Sequence, residues 1–149
     1  MINRIKTRLA SEQGFTLIEL LVVIIILGIL VAIAVPAYLS FKDKATVAAA
    51  KANVRSAIPA AESWYQDDVN NTNPNTYQGV TGATLRTEAP GVAAGVKAGS
   101  ASPYSSYCIQ DTEPSTATAT AANTYHYEGG SAGPATIAPD VCPASYAVA

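Results

Sequence analysis

One carboxylate, Glu19, stands inside a run that otherwise avoids charge from Phe15 to Val35. Gly14 opens the run, Phe15 follows, and the acid comes four residues later. A carboxylate in an apolar layer is expensive to desolvate, which makes it a functional candidate by default. The chemistry it invites is pairing with a cation in the same layer. No Lys or Arg occurs between residues 9 and 41, so the partner must come from elsewhere. A cut after Gly14 would create one: the α-amine of Phe15.

Two other residue types invite chemistry. Cys108 and Cys142 are the only cysteines. On the outer side of a membrane, in an oxidising compartment, a far-apart pair reads as a disulfide rather than a metal site, with two free buried thiols as the alternative. His126 is the single histidine, flanked by Tyr125 and Tyr127. Catalytic and metal sites need converging groups, and here the other histidines and a third cysteine are missing. His126 therefore reads as a strand residue. No Gly-rich phosphate loop stands out, and neither an enzyme nor a bound cofactor is expected. The scattered basic residues give no nucleic-acid footprint.

The elements that must position these residues begin with the apolar run. Its 21 residues, as a helix, span about 31 Å against roughly 30 Å of bilayer hydrocarbon. Arg4, Lys6 and Arg8 precede it against a single Glu12, which predicts residues 1–14 inside and 37–149 outside. A removable signal peptide would share the basic front, and Ala32-Ile33-Ala34 offers a small-x-small cleavage pattern. A plain single-pass anchor would share the length. Neither explains Glu19.

Beyond the run, Pro36 predicts a kink and Gly28 a second weak point. Val47, Ala50, Val54, Ile58, Ala61 and Tyr65 make an apolar stripe, with Lys44, Lys51, Arg55, Glu62 and Gln66 on a separate polar stripe. Pro59 predicts a bend over Arg55–Pro59, not an end, because the stripe keeps its phase beyond it. Asp67 to Asn75 reads as a helix end and loop. That oxygen-rich run lacks the spacing and glycine of a calcium loop. Asn70-Asn71-Thr72 fits a glycosylation sequon, a short pattern that arises readily by chance. The remainder predicts short strands at Thr76–Thr81, Ala83–Thr87, Tyr104–Asp111, Asn123–Glu128 and near Ala135–Ala138, with turns at Glu128–Ser131 and Ala132–Pro134. Pro114–Thr120 is low-complexity and open to an edge strand, a mobile loop or a glycosylated surface. The eight tyrosines and Trp64 fit half-buried strand and core positions.

The stretch from Gly14 through Phe15 and Glu19 to Ile24, behind a basic leader, resembles the N-terminal signature of type IV prepilins and the related pseudopilins. The pattern extends to about residue 68. The resemblance implies an α+β fold: a long N-terminal helix on a small antiparallel sheet, with a disulfide-closed C-terminal region. It divides the chain into a leader at 1–14, a membrane and filament-core helix at 15–36, its amphipathic continuation at 37–68 and an outer β-rich region at 69–149. A prepilin peptidase is expected to cut between Gly14 and Phe15 and to methylate the Phe15 amine. Glu19 is expected to attract that amine on a neighbouring subunit and so fix axial register, a better-founded role for a buried pair than net stability. Helix between Gly28 and Pro36 is expected to loosen in the filament. The membrane before assembly, further copies of the chain, an assembly ATPase and a platform protein are the implied partners. A secretion pseudopilin is the nearest alternative; a monomeric membrane-anchored binding module is the rival from another class. Adhesion, motility, DNA uptake and export all use such subunits.

Overall fold

The computed structural model describes residues 14–113, 120, 123–131 and 136–149. Most of the expected leader, the Thr-rich stretch up to residue 119 and the expected turn at Ala132–Pro134 lie outside the described residues. The chain divides into two compact units, Met1–Lys42 and Asp43–Ala149. One helix, α1 (Leu17–Gln66), contributes to both. A second helix, α2 (Gly82–Glu88), and strands β1 (Lys97–Ala101), β2 (Ser106–Thr112), β3 (Thr124–Gly130) and β4 (Ala138–Pro139) follow in the second unit. The architecture is α+β, as the sequence predicts.

The four strands form an antiparallel sheet in the order β1-β2-β3-β4. β2 is central, and every residue from Tyr107 to Asp111 is buried. Such a strand must be covered on both faces. Tyr107 and Ile109 join the core that α1 supplies, while Cys108 belongs with Cys142 and Tyr146 in a smaller cluster on the other face. The disulfide between Cys108 and Cys142 is formed, and Gln110 Oε1 accepts from the Cys142 N–H at 2.8 Å. The final residues run along β1: Ala149 donates to the Ala98 carbonyl at 3.1 Å. A Cβ at Gly99 would lie 2.4 Å from the Ala147 carbonyl oxygen, so only glycine admits that approach.

The buried face of α1 is Ala50, Val54, Ala57, Ala60, Ala61 and Trp64. The main run, 50-54-57-61-64, keeps the three-and-four spacing of one helix face. Val47, Ile58 and Tyr65 instead flank it, half-buried. Four alanines on this face keep the helix surface thin, leaving room for Tyr107, Tyr77 and Tyr127 from the sheet and loops. The helix continues through Gly28, Pro36 and Pro59. Pro59 and Arg55 are both exposed, so water can reach the site where the proline ring deletes a backbone bond.

Two predicted strands are absent. Thr76–Thr81 is a turn-rich loop, and Ala83–Thr87 lies within α2. The reason is capping. Thr81 Oγ1 accepts from the Thr84 N–H at 3.2 Å, and Thr84 Oγ1 accepts from the Thr81 N–H at 2.8 Å. This reciprocal pair starts a helix that buries Leu85 completely. Upstream, Gly79 at φ 80° turns the chain while Trp64 Nε1 donates to the Gln78 carbonyl. β1 was not expected, since Lys97-Ala98-Gly99-Ser100-Ala101 has weak strand propensity. Pairing with β2 on one edge and bonds to Ala149 on the other impose it.

Candidate functional site

In the first unit the large side chains from Phe15 to Phe41 are exposed, with Phe15 at 90% and Leu17 at 88%. α1 contains one segment long and apolar enough to cross a membrane, with mean hydropathy 3.3 and no part of it buried within the chain. A helix apolar on all sides belongs in lipid or inside a bundle. Among the described residues a Cβ at Gly28 would meet nothing within 4 Å, so no contact among them demands a glycine there.

Glu19 has a local role that the sequence reading missed. Its Oε2 accepts from the Thr16 N–H at 3.2 Å and from the Thr16 hydroxyl at 3.0 Å, while the Glu19 N–H donates back to Thr16 Oγ1 at 3.2 Å. This is a capping box that satisfies backbone donors at the start of α1, where an acid also suits the helix dipole. The signal was legible: Thr16-Leu17-Ile18-Glu19 is the S/T-x-x-E pattern immediately before an apolar run. Phe15, Glu19, Leu20 and Val23 border a concavity of about 380 Å³. The acid thus stands at the rim of an apolar surface beside the expected cleavage point.

The second unit holds a different polar centre. Glu62, expected on the solvent stripe, is exposed yet accepts from the Tyr107 hydroxyl at 2.8 Å and the Tyr77 hydroxyl at 3.0 Å. Burial first, then the bonds to Glu62 and its charge, raise both phenols above their ordinary range. The rings form a row, with Tyr65–Tyr77, Tyr77–Tyr107 and Tyr107–Tyr127 centroids 4.8, 4.6 and 6.0 Å apart. Lys51, also placed on the solvent stripe, sets its Nζ 4.9 Å from the centre of the Tyr125 ring. Asn53 Nδ2 donates to the buried Asp111 at 2.8 Å and to Glu113 at 3.3 Å.

His126 lies in β3 opposite Ala138, its Nδ1 3.2 Å from the Asp140 carbonyl and its Nε2 3.6 Å from Glu128. Asp67 accepts from the Val69 and Asn70 N–H groups and from Asn70 Nδ2, all local turn bonds. Asn71 of the sequon is buried and donates to the Trp64 and Thr76 carbonyls, tying off the end of α1. No group of three or more His, Cys, Asp or Glu able to hold a metal occurs among the described residues.

A membrane-length helix with a capped acid at its N-terminal end, continued into a helix-on-sheet unit closed by a disulfide, defines a pilin-like protein. Comparison with known proteins agrees. Residues 9–35 match the family model described as the prokaryotic N-terminal methylation motif. The chain is 48% identical over 70 residues to type II secretion system core protein G of Pseudomonas aeruginosa, covering 47% of this chain and 48% of that one. It is 40% identical over 56 residues to the type IV major pilin protein PilA of Myxococcus xanthus, covering 38% and 26%. It is 56% identical over 53 residues to the type IV narrow pilus major component PilA5 of Thermus thermophilus, covering 36% and 42%. The matches thus span about half or less of these relatives' lengths. No solved structure matches the chain. Over these stretches the chain is similar to type IV pilins and to a type II secretion pseudopilin.

Proposed function

We propose that this chain is a structural subunit of a type IV pilus. It waits in the cytoplasmic membrane with its N terminus inside, and then polymerises into a surface filament through the first part of α1. The observation that carries the reading is the all-round apolar helix with Glu19 at its head. Lipid satisfies such a surface in the single subunit, and neighbouring copies satisfy it in a filament. A prepilin peptidase cuts after Gly14 and methylates Phe15. The secondary amine stays protonated near neutral pH and meets Glu19 of a neighbour, so that a subunit out of register leaves an unpaired charge in the core. Gly28, which no contact among the described residues requires, and Pro36 bracket the stretch that loosens when the filament extends, while Pro59 gives a bend further along. An assembly ATPase and a membrane platform protein drive insertion. The filament serves adhesion, motility or DNA uptake rather than catalysis.

A second reading, a pseudopilin of a secretion system, is favoured by the 48% identity to core protein G. The Cys108–Cys142 disulfide tilts the balance toward a pilus subunit. Deleting the gene separates the two: loss of surface filaments supports the pilus, and loss of exported proteins with filaments intact supports the pseudopilus. The processing itself is tested by mass spectrometry of the mature N-terminal peptide from the native host. Phe15 carrying one extra methyl supports the whole reading. A start at Val35, from ordinary secretion, or an intact Met1 with surface filaments present would overturn it.

A further inference from the structure

One cavity of the second unit takes no part in the assembly reading. It measures about 340 Å³ and opens where the last turn of α1, the loop after it, the β1–β2 turn and the end of β3 meet. Its walls include the rings of Tyr65 and Tyr104, both half-buried, and its floor is Tyr77, already covered by Tyr65 and Tyr107. Asn75, Ser105 and Ser131 supply amide and hydroxyl groups to the same space. Among the described residues, the lining carries no Lys, Arg, His, Asp or Glu. The Tyr65 hydroxyl, the Tyr104 hydroxyl and the Asn75 side-chain amide have no hydrogen-bond partner among the described residues.

The walls are fastened to one another. The Tyr77 N–H donates to the Tyr104 carbonyl at 2.8 Å, and the Asn75 N–H to the Tyr65 carbonyl at 2.8 Å. Ser131 donates through its N–H to the Ser105 carbonyl at 2.9 Å and through its hydroxyl to Ser105 Oγ at 2.8 Å. Within this frame two non-glycine residues hold left-handed backbone, Asn75 at φ 64° and Tyr104 at φ 65°. Asparagine tolerates that region, but a bulky tyrosine there is unusual, and strained residues gather at ligand sites. Glycine would take the turn without strain, so the ring at 104 is kept against the backbone's preference.

We propose that this cleft binds a neutral sugar ring. The absence of charge disfavours phosphates, carboxylates and amines. A purely apolar ligand would leave the Asn75 side-chain amide and the Tyr65 and Tyr104 hydroxyls without partners. A pyranose offers both halves of the match: a flat C–H face for a tyrosine ring and a rim of hydroxyls for Asn75, Ser105 and Ser131. The volume lies at the small end of ligand pockets and suits one or two rings. The site is a property of the second unit alone and does not depend on polymerisation.

The test uses the full chain, purified in a sugar-free zwitterionic detergent and observed by saturation-transfer NMR. Galactose, glucose and N-acetylglucosamine are the monosaccharide probes, the N-acetylglucosamine trimer is the chain probe, and inorganic phosphate is the charged control. The expected result is saturable millimolar binding of at least one sugar and none of phosphate. Tyr104→Gly, which relieves the backbone while removing the ring, should weaken that binding about five- to tenfold, the scale of one aromatic contact. Ser131→Ala, at an exposed position, should weaken it by a smaller factor without unfolding the chain. Tighter binding of the trimer assigns the site to the end of a polysaccharide; equal binding assigns it to a free sugar. No response to any sugar, a response unchanged in Tyr104→Gly, or phosphate competing with the sugar would overturn the proposal.

Discussion

Glu62 is the side chain on which the second unit's packing is most directly testable. Its carboxylate accepts from two tyrosine hydroxyls, one on a side chain that is 0% exposed, Tyr107, and one on a side chain that is 4% exposed, Tyr77. Glu62→Ala leaves both without their acceptor. A hydrogen bond to a charged group contributes about 1.5–3 kcal/mol, and a buried donor left unpaired costs about 1–3 kcal/mol. Glu62 itself is exposed, so solvent screens its charge and some water can reach the vacated site. The lower ends apply, and the variant should lose about 2–3 kcal/mol for the pair. For a unit of this size that lowers the melting temperature by roughly 10–15 °C. Glu62→Gln keeps an acceptor and should recover about half. The decisive assay is a double-mutant cycle with Tyr107→Phe, by urea denaturation of the full chain in detergent, followed by near-UV circular dichroism. Removing the Tyr107 hydroxyl should cost about 1–2 kcal/mol less once Glu62 is gone. Additivity within about 0.5 kcal/mol would refute the reasoning, because it would mean that the hydroxyl and the carboxylate do not depend on each other.

Three further outcomes are expected. Replacing Cys108 and Cys142 together by alanine opens a loop with a sequence separation of 34 and should cost about 4 kcal/mol in the chain-entropy model, read as a lower denaturation midpoint that reductant no longer changes. Alkali should destabilise the second unit. Tyr77 and Tyr107 have folded pKa values raised above the ordinary 10.0, so folding holds protons that the unfolded chain releases; stability is full below about pH 10 and falls as pH rises beyond it. Unfolding titrated against pH, with tyrosinate absorbance followed in parallel, checks that sign. Gly129→Ala would place a Cβ 2.3 Å from the Tyr107 ring, which Glu62 holds in position, and should cost about 1–3 kcal/mol by thermal melting.

The parts of the fold that read well from sequence were those set by long apolar patterns or by a rare residue. The membrane-length run, the helix continuing past Pro36 and Pro59, and the cysteine pair all belong to that kind. β2 and β3 were found within two residues of their bounds, because Tyr107-Cys108-Ile109 and Tyr125-His126-Tyr127 favour strand. What failed was decided elsewhere. The short apolar-polar stretch at Ala83–Thr87 is ambiguous in period, and the Thr81–Thr84 capping pair settled it as helix. β1 has almost no propensity of its own and exists because β2 and the C-terminal residues hold its two edges. Glu62 reads as solvated on a helical wheel, since its partners Tyr77 and Tyr107 lie 15 and 45 residues away. At the front of the chain the position of Glu19 invites a partner from outside, whereas its partner within the chain is Thr16, three residues before it.

The row of tyrosines has an optical consequence. Tyr65, Tyr77, Tyr107 and Tyr127 stand ring to ring at 4.8, 4.6 and 6.0 Å, and the chain's single tryptophan, Trp64, lies in the same core. Transition dipoles that close exchange excitation, and a handed arrangement of them absorbs left and right circular light unequally. Light taken up by any ring in the row is handed along and drains to the indole, whose emission is red of theirs. The native protein should therefore glow as a tryptophan protein despite its eight tyrosines, with tyrosine emission returning as the row comes apart. Folding, ligand entry beside Tyr65 and the loss of Glu62 would each be written in the same emission spectrum, without a label.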